Sequence, residues 1–444
     1  MSADPAWQAS SLGPEFPTGV LGESGLRESA MRVVVLGCGV AGVTAAWMLQ
    51  RDGHSVTVID RADEPAAFTS FANAGLVAPG HAYAWSSPKA PGVLLRSLWR
   101  GDQALRFRPS LDPALWRWTW KFLRQCTAER AARNTARKAR LCLYSQSLLH
   151  EVVAASGVAY EARCDGLIYL YRKAEAFSGA LEKMRILTEQ GIELRSLTPA
   201  EAAEADPALA PLRDRLAGAI LAPGDEFGDA RLFTLGLAET CRDDGVRFRF
   251  GERVTGLRLS GGSVEAVSTD RGEVEGDAFV LALGVYSPQV ARQLGARLPI
   301  YPVKGYSVTL PIAGRNRAPS LGGVDEDNLV AYARFGDRLR ITATAEFAGY
   351  ATDHTPADFD HMLRVARDLF PEGGDYARPD YWAGLRPMTP EGTPILGRGR
   401  CDNLYFNTGH GHMGWTMACG TARITADLIA GRTPEIPLDG LLLQ

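Results

Sequence analysis

The chain has 444 residues, 46% hydrophobic and 22% charged, with a formal net charge of −3. That composition excludes a low-complexity or fibrous chain and fits a globular protein of two domains. The small net charge hides an imbalance: between Arg96 and Arg140 twelve Lys/Arg face three Asp/Glu, a sign of either an anion-facing surface or internal ion pairing.

Residues 1–30 are rich in Gly, Pro, Ser and Glu and lack an apolar run, so they read as a disordered leader. The stretch from Val33 to Leu49 is uncharged and long enough to suggest a short membrane segment, but its glycines point elsewhere. Val33-Val34-Val35 predicts a buried strand, followed by Gly37-x-Gly39-x-x-Gly42, a helix to Arg51, an Asp52-Gly53 turn and a second strand ending at Asp60. This is a dinucleotide fingerprint in its full setting. Gly37 permits the tight turn, Gly39 lets a pyrophosphate approach the backbone, Gly42 packs helix on sheet, and Asp60 stands where a ribose hydroxyl is held. The helix N-terminus adds free N–H donors. The motif does not separate NAD from FAD. The loop TSFANAGL, Thr69 to Leu76, favours FAD, because a small polar loop there suits a second phosphate and the ribityl chain.

Pro113 to Gly157 reads as helical, with the basic aromatic run Leu115 to Phe122 followed by Arg130, Arg133, Arg137 and Arg140 on one helical face. Those arginines either pair with the acidic remainder of the chain or form a docking surface for anionic lipid. Strands over 245–254 and 277–284 return to the first sheet. Further strands follow over 301–310 and 328–344, and the chain comes back at 404–409. The expected architecture is α/β: a Rossmann-like nucleotide domain (31–80, 226–295 and 378–437) interleaved with a mostly β substrate domain carrying a helical insert (81–225 and 296–377). Seven scattered cysteines without a CxxC pair suggest reduced thiols and a cytoplasmic protein. Nothing points to nucleic acid, and the oligomeric state is left open.

GHGHMGWTMACG, Gly409 to Gly420, looks at first like a soft-metal site. Histidines two apart point to opposite faces of a strand, or about 200° apart on a helix, so they do not readily share an ion. No carboxylate lies between Asp402 and Asp427 to complete a set. The expectation is no metal, with the glycines admitting a flat ligand and the following helix aimed at it.

TSFANAG, YPVKGYSVTLPIA, GLRPMTPEGTPILG and NTGHGHMGWTMACG together resemble the FAD-dependent D-amino-acid oxidase superfamily, most closely its bacterial D-amino-acid dehydrogenase (small-subunit) branch. The likeness runs from Met31 to about Pro437. His412 departs from the usual small residue, Glu391 from Asp and His81 from tyrosine. The resemblance implies non-covalent FAD, its adenine end at Gly37, Gly39, Val40, Ala41, Gly42, Asp60 and Arg61, with Val254 near the adenine. Ser70, Asn73 and Gly75 fall near the pyrophosphate and ring, and Ala74, Leu76 and Gly284 are further cofactor-binding candidates. Gly411, His412, Met413, Gly414 and Trp415 border the pyrimidine edge.

It further implies oxidative deamination of a D-amino acid to a 2-oxo acid and ammonia by hydride transfer from Cα to flavin N5. Electrons then pass to a quinone or other carrier. Holding a carboxylate calls for a two-pronged arginine, and Arg386 matches the family's substrate arginine. Tyr332 and Tyr306 are candidates to hydrogen-bond the substrate. His81 is a candidate to tune amine protonation, and His412 either faces substrate or caps the helix; Lys304 and Arg334 are weaker candidates. Two alternatives are an O2-reducing oxidase of the glycine, sarcosine or D-proline type, and a flavin relay without a substrate site. The expected location is cytoplasmic, with contact at the inner face of the membrane if the docking reading holds.

Overall fold

The computed structural model describes residues 30–97, 105–108 and 110–443. The expected disordered leader therefore lies, apart from Ala30, outside the described residues. Val33-Val34-Val35 occupies the strand Arg32–Leu36, which pairs in parallel with Ser55–Ile59 on one side and Ala278–Leu281 on the other. The sheet continues through Leu404–Thr408 to the antiparallel edge Ile395–Arg398, and through Ser55–Ile59 to Arg247–Arg249. Both faces of a parallel sheet are covered, which is why these strands are continuous apolar runs instead of alternating ones. Helices Val40–Arg51, Ala230–Asp243 and Gly414–Ile429 pack on one face. A three-stranded sheet spanning 254–275 covers the other. The uncharged run from Val33 to Leu49 is thus a strand and a buried helix. Among the described residues no helix is long and apolar enough to cross a membrane.

Among the described residues the second sheet has nine strands, and its long antiparallel ladder joins Tyr301–Pro311 to Arg338–Phe347 and to Asp380–Met388. Asp380–Met388 is an edge of this sheet, although its sequence neighbours from Ile395 onward belong to the first. The helical stretch resolves into Pro113–Gln125, capped by Asp112, and Ala128–Ser156, capped by Thr127 and closed by Gly157 at φ 68°.

Candidate active site

A cavity of about 480 Å³ is lined from both sheets: by the Gly37–Ala41 turn and the Ser70–Leu76 loop, by Gly305, Thr344 and Arg386, and by the His410–Thr416 turn. Its dinucleotide end is built from backbone. Gly37 has φ 108°, and a Cβ there would sit 2.5 Å from the Ala282 carbonyl oxygen. A Cβ at Gly42 would sit 1.9 Å from the Gly37 oxygen. Of the three, only Gly39 has room for a Cβ, which would meet nothing closer than Ser70 Oγ at 3.4 Å. The Val40 N–H donates to that hydroxyl at 3.1 Å, and Ala41 lines the wall beyond it.

Asp60 lines the cavity and ties the turn down, accepting from the Cys38 N–H at 2.6 Å and the Ala62 N–H at 2.9 Å. Arg61 lies over Tyr286 at 4.0 Å and Phe68 at 4.6 Å. Val254 and Gly284 line the same end. In the loop, Asn73 Oδ1 accepts from the Gly75 N–H at 2.9 Å. Gly75 adopts φ 72°, and its carbonyl accepts from the Trp415 indole at 3.2 Å. Ala74, Leu76, Met413 and Gly414 complete this wall.

The two histidines of GHGHMGW take different partners. His410 is buried, with Nε2 3.0 Å from Thr421 Oγ1. His412 lines the cavity, its ring stacked on Trp85 at 4.7 Å. Gly411–Met413 forms one tight turn before the helix Gly414–Ile429, in which Met417 and Cys419 are buried packing residues.

At the other end Arg386 enters the cavity from the edge strand, its Nη1 donating to the Thr344 carbonyl at 2.9 Å. Among the described residues no carboxylate pairs with it. Burial pulls its guanidinium down to about 10, so it stays charged at neutral pH.

The two tyrosines behave otherwise than expected. Val303, Gly305 and Ser307 pair with Arg386, Gly384 and Trp382 on the cavity face, so Tyr306, one residue out of phase, belongs to the opposite face. Tyr306 borders the cavity, but its hydroxyl donates to Glu346 and its ring meets Phe359 edge-on at 5.2 Å. Tyr332 is 1% exposed in the core behind the sheet, against Phe370, while its neighbour Ala331 lines the cavity. Lys304 donates to the Asp353 carbonyl, and Arg334 to the Gly336 carbonyl at 3.1 Å. Neither lines the cavity.

His81 does line it. Nε2 lies 2.6 Å from Glu326 Oε1 and the ring stacks on Tyr169 at 5.0 Å. Burial works against the imidazolium, but the charge and hydrogen bond of Glu326 outweigh it and raise the pKa. His412 goes the other way: burial, with Lys138, His81 and Arg386 nearby, lowers it far below the usual histidine range.

A family of FAD-dependent oxidoreductases, DAO, matches residues 32–428. The chain belongs to the DAO family. This DAO-family chain is 45% identical over 413 residues to D-amino acid dehydrogenase 2 of Mesorhizobium japonicum, covering 93% of this chain and 99% of that one. It is 43% identical over 414 residues to D-amino acid dehydrogenase of Agrobacterium fabrum, again covering 93% and 99%. Among solved structures it superposes on glycine oxidase from Geobacillus kaustophilus with a TM-score of 0.73 at 22% identity, covering 94% of this chain and 99% of that one. L-proline dehydrogenase from P. horikoshii gives a TM-score of 0.70 at 19% identity, covering 92% and 96%. At those identities the likeness is one of fold.

FAD is the cofactor of the DAO family, and the residues present fit it. The cradle is glycine backbone that a Cβ would fill or distort, and Asn407 offers a buried Oδ1 with no partner among the described residues. Sequence reasoning missed Asn407. Its only signal is a polar residue after the apolar run Leu404-Tyr405-Phe406, two positions before Gly409. Trp85 and Glu326 were missed as well, having no motif of their own.

The arginine face expected after the aromatic run is largely occupied. Arg137 and Arg140 both bind Asp439, at 2.8 and 2.9 Å, and Arg133 lies 3.8 Å from Glu129. The preceding helix is different. Pro113–Gln125 buries Leu115, Trp118 and Phe122, but leaves Trp116, Trp120 and Leu123 exposed beside Arg117, Lys121 and Arg124, with no acid in the helix.

Proposed function

We propose that this protein oxidises D-amino acids to 2-oxo acids and ammonia and passes the electrons to a quinone or similar carrier. The observation that carries this reading is Arg386, a charged guanidinium without a carboxylate partner among the described residues, placed in the same cavity as the dinucleotide cradle. A half-buried cation left this way calls for an anion, and an arginine fork suits a carboxylate. The names of the Mesorhizobium and Agrobacterium relatives support the same substrate class. A flavin relay without a substrate site has no use for such a residue.

When bound, FAD supplies the acceptor for the hydrogen and electron pair that leave the substrate's Cα. The protein's part is orientation. Arg386 fixes the carboxylate, and the Trp85 and His412 wall closes the chamber. The product imino acid hydrolyses in water without a protein nucleophile.

The test is anaerobic bleaching of the yellow protein by a panel of D- and L-amino acids, then reoxidation by O2 or a quinone. Bleaching by D-alanine and faster reoxidation by quinone support the reading. Bleaching by glycine or sarcosine with fast reoxidation by O2 would favour the oxidase alternative, and no bleaching by any amino acid would remove both.

A second reading concerns the acceptor's location. Exposed tryptophans beside basic residues on Pro113–Gln125 suit an anionic lipid interface. Trp85 supports it: the same indole that lines the cavity packs against the apolar cluster beneath this helix.

A further inference from the structure

Two buried polar atoms on the cavity wall lack a partner among the described residues: Oδ1 of Asn407 and Nε2 of His412. Asn407 sits at the cradle, its amide donating to the Ala41 carbonyl at 3.3 Å. His412 belongs to the other end. Its ring lies against the Trp85 indole at 4.7 Å and 25°, a stack that fixes the imidazole plane. A buried ring nitrogen without a partner is costly, and such exceptions mark places where something else binds.

An α-amino acid carries two polar groups on one carbon. Arg386 has only donors, so it takes the carboxylate and leaves the amine to find an acceptor. The charges nearby decide which form of the amine fits. Arg386 is one cation. Lys138, fully buried with Nζ 3.0 Å from the Tyr83 carbonyl and pulled down to about 8 by burial, is a second that acts on His412. His81 is a third, offset by Glu326 at 2.6 Å. An ammonium group is disfavoured among them, as is an imidazolium at position 412. A neutral imidazole with its proton on Nδ1 keeps an acceptor at Nε2. A neutral amine keeps the lone pair that must be free when the Cα hydrogen leaves with its electrons.

We infer that Nε2 of His412 accepts a hydrogen bond from the substrate's amino group, so that Arg386 and His412 hold the α-carbon by its two polar substituents. This assignment rests on the amino-acid reading above.

The test uses the FAD-loaded enzyme under anaerobic conditions, wild type against His412→Phe and His412→Gln. D-alanine is followed by flavin reduction and its saturation. Propionate, which keeps the carboxylate and lacks the amine, is followed by calorimetry. H412F weakens D-alanine saturation roughly tenfold, the loss of one buried hydrogen bond, and H412Q recovers part of it through its amide oxygen. Propionate affinity stays unchanged in both. Equal losses for the two ligands would reduce His412 to a shaping residue and overturn the inference, as would D-alanine saturation unaltered in H412F. Should H412F lose its flavin, His412→Leu replaces it with the same expectations. A wild-type enzyme that no D-amino acid reduces and propionate does not bind would overturn the functional reading and this inference together. A wild type reduced by D-alanine beside an unaffected H412F removes only the inference.

Discussion

Gly305 and Arg386 face the cavity from adjacent strands, and a Cβ on Gly305 would lie 2.5 Å from an Arg386 guanidinium nitrogen. The glycine leaves the room in which the arginine lies flat along the strand.

Gly305→Ala is therefore expected to displace Arg386 without unfolding the sheet, because the clash is with the mobile end of a side chain. Substrate saturation weakens by at least tenfold, while FAD content and melting temperature stay near wild type. Equal activity in G305A would mean that the arginine holds no substrate in this pose.

Arg386→Lys keeps the charge and loses the fork. Removing one partner of a buried charged hydrogen bond costs about 2–5 kcal/mol, so kcat/KM should fall by more than tenfold with FAD content unchanged. Steady-state kinetics across several D-amino acids checks this, and unaltered kinetics would place the carboxylate clamp elsewhere.

Gly42→Ala sets a methyl group 1.9 Å from the Gly37 carbonyl oxygen, a backbone atom that cannot swing aside. Overpacking of this kind costs about 1–3 kcal/mol, and here the distortion falls on the turn that cradles the dinucleotide. The variant should purify with less flavin and melt lower than wild type, and a gel-filtered sample with full absorbance would contradict it.

The His81–Glu326 pair gives a pH signature. His81 has a raised pKa in the folded protein, so the pair's contribution is full below the unfolded histidine value. It is lost as pH rises through the higher folded value. Glu326→Gln should thus lower the melting temperature most at mildly acidic pH, with the gap to wild type closing toward alkaline pH. A gap constant across that window would show that the ion pair adds nothing to stability.

Membrane docking is tested on the helix whose cations have no acidic partner among the described residues. Trp116→Ala with Trp120→Ala, both side chains being about half exposed, should abolish co-sedimentation with anionic vesicles and slow quinone-linked turnover, while bleaching by D-amino acid persists. Lys121→Glu should weaken binding in a salt-dependent way. Charge reversal at Arg137 should instead lower stability, because that side chain holds Asp439 at 2.8 Å.

The amino-acid sequence by itself determined the glycine turn, the strands that return to it and the arginine that lines the cavity's other end. Glycine spacing, β-branched runs and a lone arginine between apolar residues are local patterns, and local patterns survive in one dimension. The face on which each tyrosine falls was decided only by register: one position along the strand separates Arg386 and Gly305, which face the cavity, from Tyr306, which faces the other way. Trp85 and Asn407 reach the cavity, and Glu326 reaches its His81, from separate segments, and no spacing rule joins them. Asp439 lies 302 residues from Arg137. Which arginines are satisfied and which remain free for a ligand or a surface is therefore a property of the packed chain, since burial and opposite charge act between residues that only the tertiary fold makes neighbours.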